Sequence, residues 1–131
     1  MLFRSLAAAG VGMQQLILDP GPDFSKTPAQ TVEVLQKLGW LTTYGRPVLL
    51  PVSRKDFIGA ITGRPPRERL AGTLAAIAHT LTLTRSDIYR VHDVQDVRNF
   101  LDVWDVLQGE TELDPAKLLD PALWRAKPAT S

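Results

Sequence analysis

Three short apolar runs alternate along the chain with longer segments in which apolar residues recur at helical spacing. The runs cover residues 15–19, 47–52 and 87–92, and a turn or a polar segment follows each of them. Short apolar runs that end at turn signals predict buried parallel strands. Successive runs begin 32 and 40 residues apart, a spacing typical of strand–helix units with one helix each.

Helical patterns follow the three runs. Thr27 and Pro28 predict the start of the first helix, because Thr is a good N-cap and Pro is favoured at the first helical position. Leu35 and Leu38 give this helix an apolar face, and Gly39 is its predicted end. The second helix is predicted from Leu70, Leu74, Ile77 and Leu81. The third, ended by Gly109, is predicted from Val97, Phe100, Leu101, Trp104 and Leu107, with Trp104 interpreted as core packing.

The two ends of the chain carry weaker signals. Residues 1–10 are interpreted as the end of an alanine-rich helix, with a short signal peptide as the alternative. Residues 110–131 lack helical periodicity. Within them, Asp-Pro pairs at 114–115 and 120–121 indicate turns or helix starts, and residues 127–131 are expected to be frayed.

This order of elements predicts an α/β fold with a parallel sheet and right-handed crossovers. The length of 131 residues favours a single domain. The net charge of +1 gives no electrostatic argument for nucleic-acid binding, which requires a clustered basic face. No apolar stretch of the sequence is long enough to span a membrane. We therefore expect neither a nucleic-acid nor a membrane partner. The absence of cysteine excludes disulfides, thiolate zinc sites and a cysteine nucleophile.

Polar residues lie at the carboxyl end of each predicted strand. They are Asp19 after the first strand, Ser53, Arg54 and Lys55 after the second, and Arg90, His92 and Asp93 at the third. Ligands bind at this edge in α/β sheets and barrels, so three such strands in a row predict a site. The alternative for Arg54 and Lys55 is an ordinary solvated loop.

Arg90 and His92 share one face of the third predicted strand. An arginine on a strand buried on both faces needs an anionic partner, which predicts a cradle for phosphate or diphosphate. The alternative is an internal salt bridge from Arg90 to Asp19. Asp19 itself is either a turn residue or a fixed carboxylate that accepts paired N–H donors from a guanidine-like ring edge.

Four motifs in one order carry a family resemblance. They are Asp-Pro-Gly at 19–21 with Phe24 and Lys26 behind it, Ser-Arg-Lys-Asp-Phe-Ile-Gly at 53–59, Thr-Gly-Arg-Pro at 62–65 with Glu-Arg at 68–69, and Arg-Val-His-Asp-Val at 90–94. Residues 6–107 therefore resemble the C-terminal part of dihydropteroate synthase. The resemblance implies a partial TIM (β/α)8 barrel of about three C-terminal βα units in residues 1–109, followed by a tail in residues 110–131.

The resemblance also implies an activity in folate biosynthesis. The family joins p-aminobenzoate to 6-hydroxymethyl-7,8-dihydropterin diphosphate with Mg²⁺, releases diphosphate, and is a sulfonamide target. A cytoplasmic location is expected. The implied partners are the two substrates and either further copies of the chain in a homo-oligomer or a complementing N-terminal barrel half. The main Mg²⁺ contacts are expected outside this chain, which provides no metal ligand.

The matching positions imply individual roles. Asp19 accepts hydrogen bonds from the aminopyrimidine edge of the pterin, and Lys55 contacts the pterin carbonyl and a ring nitrogen. Arg90 stacks against the pterin and holds the diphosphate together with His92. Phe24 and Arg54 line the p-aminobenzoate side. Lys55, Arg90 and His92 are the implied catalytic residues, and Ser53 and Asp56 complete the implied substrate-binding set.

The sequence departs from the family pattern at three places. Gly-Pro-Asp-Phe at 21–24 replaces Gly-Phe-Gly-Phe, Pro51 replaces a glycine and indicates a sheet edge or bulge, and Asp56 replaces a serine that donates to the p-aminobenzoate carboxylate. Asp56 is expected to repel that carboxylate. One alternative is therefore a truncated or degenerate, non-catalytic homologue that binds pterin or pairs with a complementing chain. The other is a methyltetrahydrofolate-dependent methyltransferase, which lacks this combination of motifs.

Overall fold

A computed structural model describes residues 5–6, 8–84 and 87–123 of the chain. Of the predicted alanine-rich helix in residues 1–10, Ser5, Leu6 and Ala8 are helical and residues 9–10 form a turn. Residues 1–4 and 7 lie outside the described residues. The predicted frayed end at residues 127–131 also lies outside them. Among the described residues, no helix is both long and apolar enough to cross a membrane.

The sheet is parallel, as predicted, but its strands are short. Strand β1 (Leu49–Leu50) pairs with β2 (Ile88–Tyr89), and Leu18 forms a parallel bridge with Val48 on the other side of β1. The three predicted runs therefore meet in the order first, second, third. Regular pairing ends at Leu50, whose carbonyl accepts from the Arg90 backbone N–H at 3.2 Å.

Pro51 lies one residue beyond the end of β1 and is buried. It is not at a sheet edge, because β1 lies between the Leu18 segment and β2. Since proline has no backbone N–H, it cannot continue the pairing, and the strand stops here.

Helix α1 (Pro28–Gln36) begins where the sequence predicted. The Thr27 side chain accepts from the Gln30 backbone N–H, and the Gln30 side chain accepts from the Thr27 N–H, which together form a capping box. The predicted end at Gly39 is wrong by a few residues. The chain leaves α1 at Lys37 and continues as a 3-10 helix (Leu38–Tyr44), which ends at Gly45 with a φ of 57°.

Two further helices match their predicted stripes, and a third helix was not predicted. The confirmed helices are α3 (Leu70–Leu83) and α4 (Val94–Leu107). The unpredicted helix, α2 (Asp56–Thr62), has only seven residues and ends at Gly63 with a φ of 69°. Short 3-10 helices occupy Met13–Gln15, Pro66–Glu68 and Pro121–Leu123.

The chain divides into two compact units, Met1–Val97 and Arg98–Ser131. The first contains the described core, which is formed by Leu18, Leu35, Leu38, Leu41, Val48, Leu50, Val52, Phe57, Ile58, Ile77 and Val97. In the second, the half-buried Trp104 packs its ring 5.9 Å from that of Phe100. The Asp114 and Asp120 carboxylates accept backbone N–H groups two residues on, and they mark a turn after Asp114 and the start of the 3-10 helix after Asp120, as predicted. The predicted boundary between residues 109 and 110 stays a prediction.

Candidate functional site

The carboxyl ends of β1 and β2 open into a pocket of about 600 Å³. The polar residues that line it are Asp23, Ser53, Arg54, Lys55, Asp56, Arg90 and His92. Parallel strands place their carboxyl ends at one edge of a sheet, so residues almost 40 positions apart in sequence meet here. The structure thus brings together six of the predicted site residues.

Ser53 and His92 are directly connected. Ser53 is 6% exposed, and its Oγ lies 3.0 Å from Nδ1 of the His92 ring. The same Oγ accepts the His92 backbone N–H at 3.2 Å. Because Nδ1 is engaged by Ser53, Nε2 is the ring nitrogen of His92 that remains for a ligand.

Arg54 is paired with Asp93, the residue after His92. Its Nε donates to one carboxylate oxygen at 3.1 Å and its Nη2 to the other, in a two-pronged contact. The hydrogen bond that Arg54 donates holds the pKa of Asp93 below its usual range, and the same bond to Asp93 raises the pKa of Arg54. The charge of Arg54 is therefore already balanced within the protein.

Lys55 and Arg90 are the cations of the pocket without such a partner. Neither side chain makes a hydrogen bond or an ion pair with another residue in the part of the chain that the structure describes. The alternative salt bridge from Arg90 to Asp19 is thus not formed. The expectation of a strand buried on both faces is also wrong, because Ile88 is 39% exposed and Arg90 is exposed. Within residues 8–84 and 87–123, no further strand covers this face.

Two predicted substrate-binding residues lie outside this pocket lining. The Asp19 carboxylate accepts the Gly21 backbone N–H at 2.7 Å. Asp19 therefore has the role of a turn residue, one of the two that the sequence allows. Phe24 is 79% exposed. The Lys26 ammonium donates to the carbonyls of Gly21 and Phe24, at 2.9 and 3.2 Å, and so closes this loop on itself.

The Asp56 carboxylate, which is expected to repel p-aminobenzoate, is paired with Arg69. Its side chain is 85% exposed, and Oδ1 accepts from Nη1 of Arg69 at 2.9 Å. The same Nη1 also donates to the carbonyls of Arg54 and Lys55, at 3.0 and 3.1 Å. Arg69, whose side chain is only 11% exposed, therefore fastens the segment that follows β1.

Sequence reasoning did not assign a site role to Arg69, Thr73 or Asp23. Thr73 is fully buried, and its Oγ1 accepts the Arg54 backbone N–H at 3.0 Å. The one feature of the sequence that points to Thr73 is that a polar residue stands here among the apolar positions of α3. Arg69 stands within a motif that carried the resemblance, whereas Asp23 was visible as a departure from the family glycine.

The described residues do not fit a protein-held metal ion. No group of three or more histidine, aspartate or glutamate side chains within residues 8–84 and 87–123 is close enough to hold one. The resemblance therefore remains the support for Mg²⁺. Magnesium commonly binds through substrate phosphates with few protein ligands, so such a set is not required in this chain.

Comparison with known protein families gives a match over most of the chain. The family model described as pterin binding enzyme matches residues 3–92. The dihydropteroate synthase of Bacillus subtilis is 41% identical over 100 residues, which cover 76% of this chain and 34% of that protein. The protein named inactive dihydropteroate synthase 2 of Mycobacterium tuberculosis is 36% identical, over 78% of this chain and 32% of that protein.

A solved structure agrees with this match. The dihydropteroate synthase of Xanthomonas albilineans in complex with 7,8-dihydropteroate superposes with a TM-score of 0.74 at 38% identity, covering 80% of this chain and 40% of that one. The chain spans about a third of the length of the curated relatives that it matches.

Proposed function

The chain belongs to the pterin binding enzyme family, and from this premise we propose that it forms the diphosphate- and pterin-contacting part of a dihydropteroate synthase site. The observation that carries the proposal is that Lys55 and Arg90, two cations without a partner among the described residues, lie beside His92 in one pocket at the strand ends. Two cations without protein partners suit a ligand that carries a diphosphate.

The proposed reaction needs no protein nucleophile. The amine nitrogen of p-aminobenzoate attacks the methylene carbon of the pterin, and the carbon–oxygen bond to the diphosphate breaks. The electron pair of that bond leaves with the diphosphate, and the amine loses one proton to solvent. Lys55 and Arg90 stabilise the charge that develops on the leaving oxygens, and Nε2 of His92 provides a further contact.

The remaining site assignments are part of the same proposal. Asp19, held in a turn, presents its carboxylate to the aminopyrimidine edge of the pterin, and Phe24 lines the p-aminobenzoate side. Mg²⁺, when bound, balances charge on the diphosphate, with its main contacts outside this chain. Sulfonamide sensitivity and a cytoplasmic location stay predictions from the family resemblance.

We further propose that other barrel strands cover the exposed face of β2. Among the described residues, the Leu18 segment and β2 are the outer members of the sheet, and unpaired parallel edges favour association. The covering strands come from a complementing N-terminal barrel half or from further copies of the chain. This part of the proposal is supported by the 39% exposure of Ile88 on β2.

Calorimetric titration with 6-hydroxymethyl-7,8-dihydropterin diphosphate and Mg²⁺ tests the proposal. We expect saturable binding at one site. Arg90→Ala should weaken binding of the diphosphate ester about tenfold to a hundredfold, because a charge-assisted contact is lost. Binding of the pterin without diphosphate should change much less.

Arg67→Ala is the matched control, since Arg67 is an exposed arginine outside the pocket lining. It should leave both affinities unchanged. Equal losses for the two ligands in Arg90→Ala would remove the diphosphate role from Arg90. A folded chain that binds neither ligand would contradict the proposal that this chain contacts the pterin and the diphosphate.

A second candidate function is pterin binding without catalysis. It is favoured by the similarity to a protein named inactive dihydropteroate synthase 2 and by Asp23 in the pocket wall. The two candidates differ in turnover. Formation of 7,8-dihydropteroate by the chain together with its covering strands supports catalysis, whereas saturable binding without product supports the non-catalytic candidate.

A further inference from the structure

Helix α2 begins with an unusual residue in its N-cap position. The N-cap is Lys55, whose side chain makes no capping hydrogen bond. An ammonium group has no acceptor for the free N–H groups of the first turn, and a cation is disfavoured at the positive end of a helix. The residue proposed to bind the diphosphate therefore leaves its own helix uncapped.

The missing cap is supplied by another loop. Oδ2 of Asp23 accepts the backbone N–H of Asp56, the first residue of α2. Asp23 lies 33 positions earlier in the chain, in the loop that precedes α1. A carboxylate is the favoured group at this place, because it accepts the free N–H and complements the helix dipole.

Thr31 holds Asp23 in place. The Thr31 hydroxyl donates to Oδ1 of Asp23 at 3.0 Å, and its oxygen accepts the Asp23 backbone N–H at 2.9 Å. Thr31 is on α1 and has no solvent exposure. The two bonds form a closed ring, so the orientation of the carboxylate is fixed by a buried residue of a regular helix.

The backbone on both sides of this contact is strained. Among the described residues, those other than glycine with positive φ are Asp23 at 61°, Ser25 at 49° and Arg54 at 58°. All three belong to the two loops that Asp23 joins. Such conformations persist where surrounding contacts over-determine them, which is the case here.

We propose that Asp23 is a positioning residue for Lys55: it caps α2 from a neighbouring loop, with Thr31 as its anchor, and so fixes the backbone from which Lys55 faces the pocket. Because the cap comes from Asp23, position 55 can hold a lysine, whose ammonium stays available for a ligand. The cap itself does not depend on the function proposed above, but its effect on ligand binding rests on that function.

Amide hydrogen exchange followed by NMR tests the cap without any ligand. Asp23→Ala should speed exchange at the Asp56 N–H about tenfold, since a helix cap is worth about that factor. Asp23→Asn should restore slow exchange, because its amide oxygen still accepts from Asp56 and its NH₂ donates to the Thr31 hydroxyl. Thr31→Val, which removes the anchor, should give an intermediate rate and serves if Asp23→Ala does not fold.

Thr27→Ala is the matched control, because it removes the cap of α1 and not that of α2. It should leave exchange at Asp56 unchanged. Titration with the pterin diphosphate ester then tests the positioning role. We expect about fivefold weaker binding for Asp23→Ala, and binding within twofold of the unaltered chain for Asp23→Asn and Thr27→Ala.

Three results would overturn the proposal. The first is unchanged exchange at Asp56 in Asp23→Ala, and the second is exchange in Asp23→Asn as fast as in Asp23→Ala. The third is binding of the pterin ester that weakens in Thr27→Ala as it does in Asp23→Ala, because affinity would then follow overall stability. If the unaltered chain binds no pterin ester while the exchange results hold, the proposed function fails and the cap stands.

Discussion

The charged groups around the pocket differ in whether the protein itself neutralises them. Arg54 is balanced by Asp93, and Arg69 by Asp56, whereas Lys55 has no such partner in the part of the chain that the structure describes. Arg69 also fixes the backbone after β1, because it donates to two of its carbonyls, and Thr73 accepts the Arg54 backbone N–H there. The neutralised arginines therefore hold the site together, whereas Lys55 remains available for a ligand.

Asp56→Ser tests the acceptor side of the site at the residue scale. The change removes a carboxylate from the pocket lining and leaves the guanidinium of Arg69 without its carboxylate partner. We expect p-aminobenzoate to bind up to about fivefold more tightly, the range of an exposed ion pair. The measurement is a titration in the presence of the pterin ester. Glu68→Ser, an exposed carboxylate outside the lining, should have no effect, and an unchanged affinity in Asp56→Ser would contradict the repulsion.

The Arg54–Asp93 pair predicts an acid-sensitive contribution to stability. The pKa of Asp93 is lowered from 3.8, chiefly by its hydrogen bond with Arg54. The contribution is therefore complete above that value and is lost as the pH falls through the lower pKa of the folded state. Asp93→Asn should flatten the fall in unfolding free energy below about pH 4, measured by denaturant titration at a series of pH values.

Glu33→Gln provides the comparison for that experiment. The pKa of Glu33 is also lowered, first by its hydrogen bond with Lys37. Both side chains of that pair are more than 60% exposed, so solvent screening leaves little stability to lose. If Glu33→Gln changes the pH profile of the unfolding free energy as much as Asp93→Asn does, the Arg54–Asp93 pair has no special importance for stability.

At the scale of elements, long periodic segments were predictable and short ones were not. The capping box of α1 and the stripe of α3 identify these helices, because local bonds and spacing are written in consecutive residues. Helix α2 is too short for a stripe, and its first N–H is capped by Asp23 from a distant loop. That contact has no local signal, so the helix went unpredicted.

The capping box makes α1 testable by itself. Thr27→Ala should lower the free energy of unfolding by about 1 kcal/mol, because the bond to the Gln30 N–H is lost. Thr27→Ser keeps the hydroxyl and should lose much less. Denaturant titration at neutral pH measures both variants. Equal losses in the two would mean that the Thr27 methyl group, and not the cap, is what matters.

On the scale of the whole molecule, the core of the first unit depends on the central strand. Leu50 is on β1 and has no solvent exposure, while its neighbour Leu49 is half-buried. Leu50→Ala should cost about 2–5 kcal/mol, a large part of the 5–15 kcal/mol typical of a folded domain. Leu49→Ala is the control and should cost less. Similar midpoints for the two variants in denaturant titration would contradict this view of the core.

The sequence by itself determined the family, the three confirmed helices and the parallel order of the three apolar runs. It also indicated that Ser53, Lys55, Arg90 and His92 meet, because strand periodicity and motif order are local properties of the chain. The tertiary structure alone decided which charges neutralise each other, that Asp19 sits in a turn, and that Asp23 caps α2. Those contacts join residues tens of positions apart whose distances are set by packing, and no local pattern encodes them.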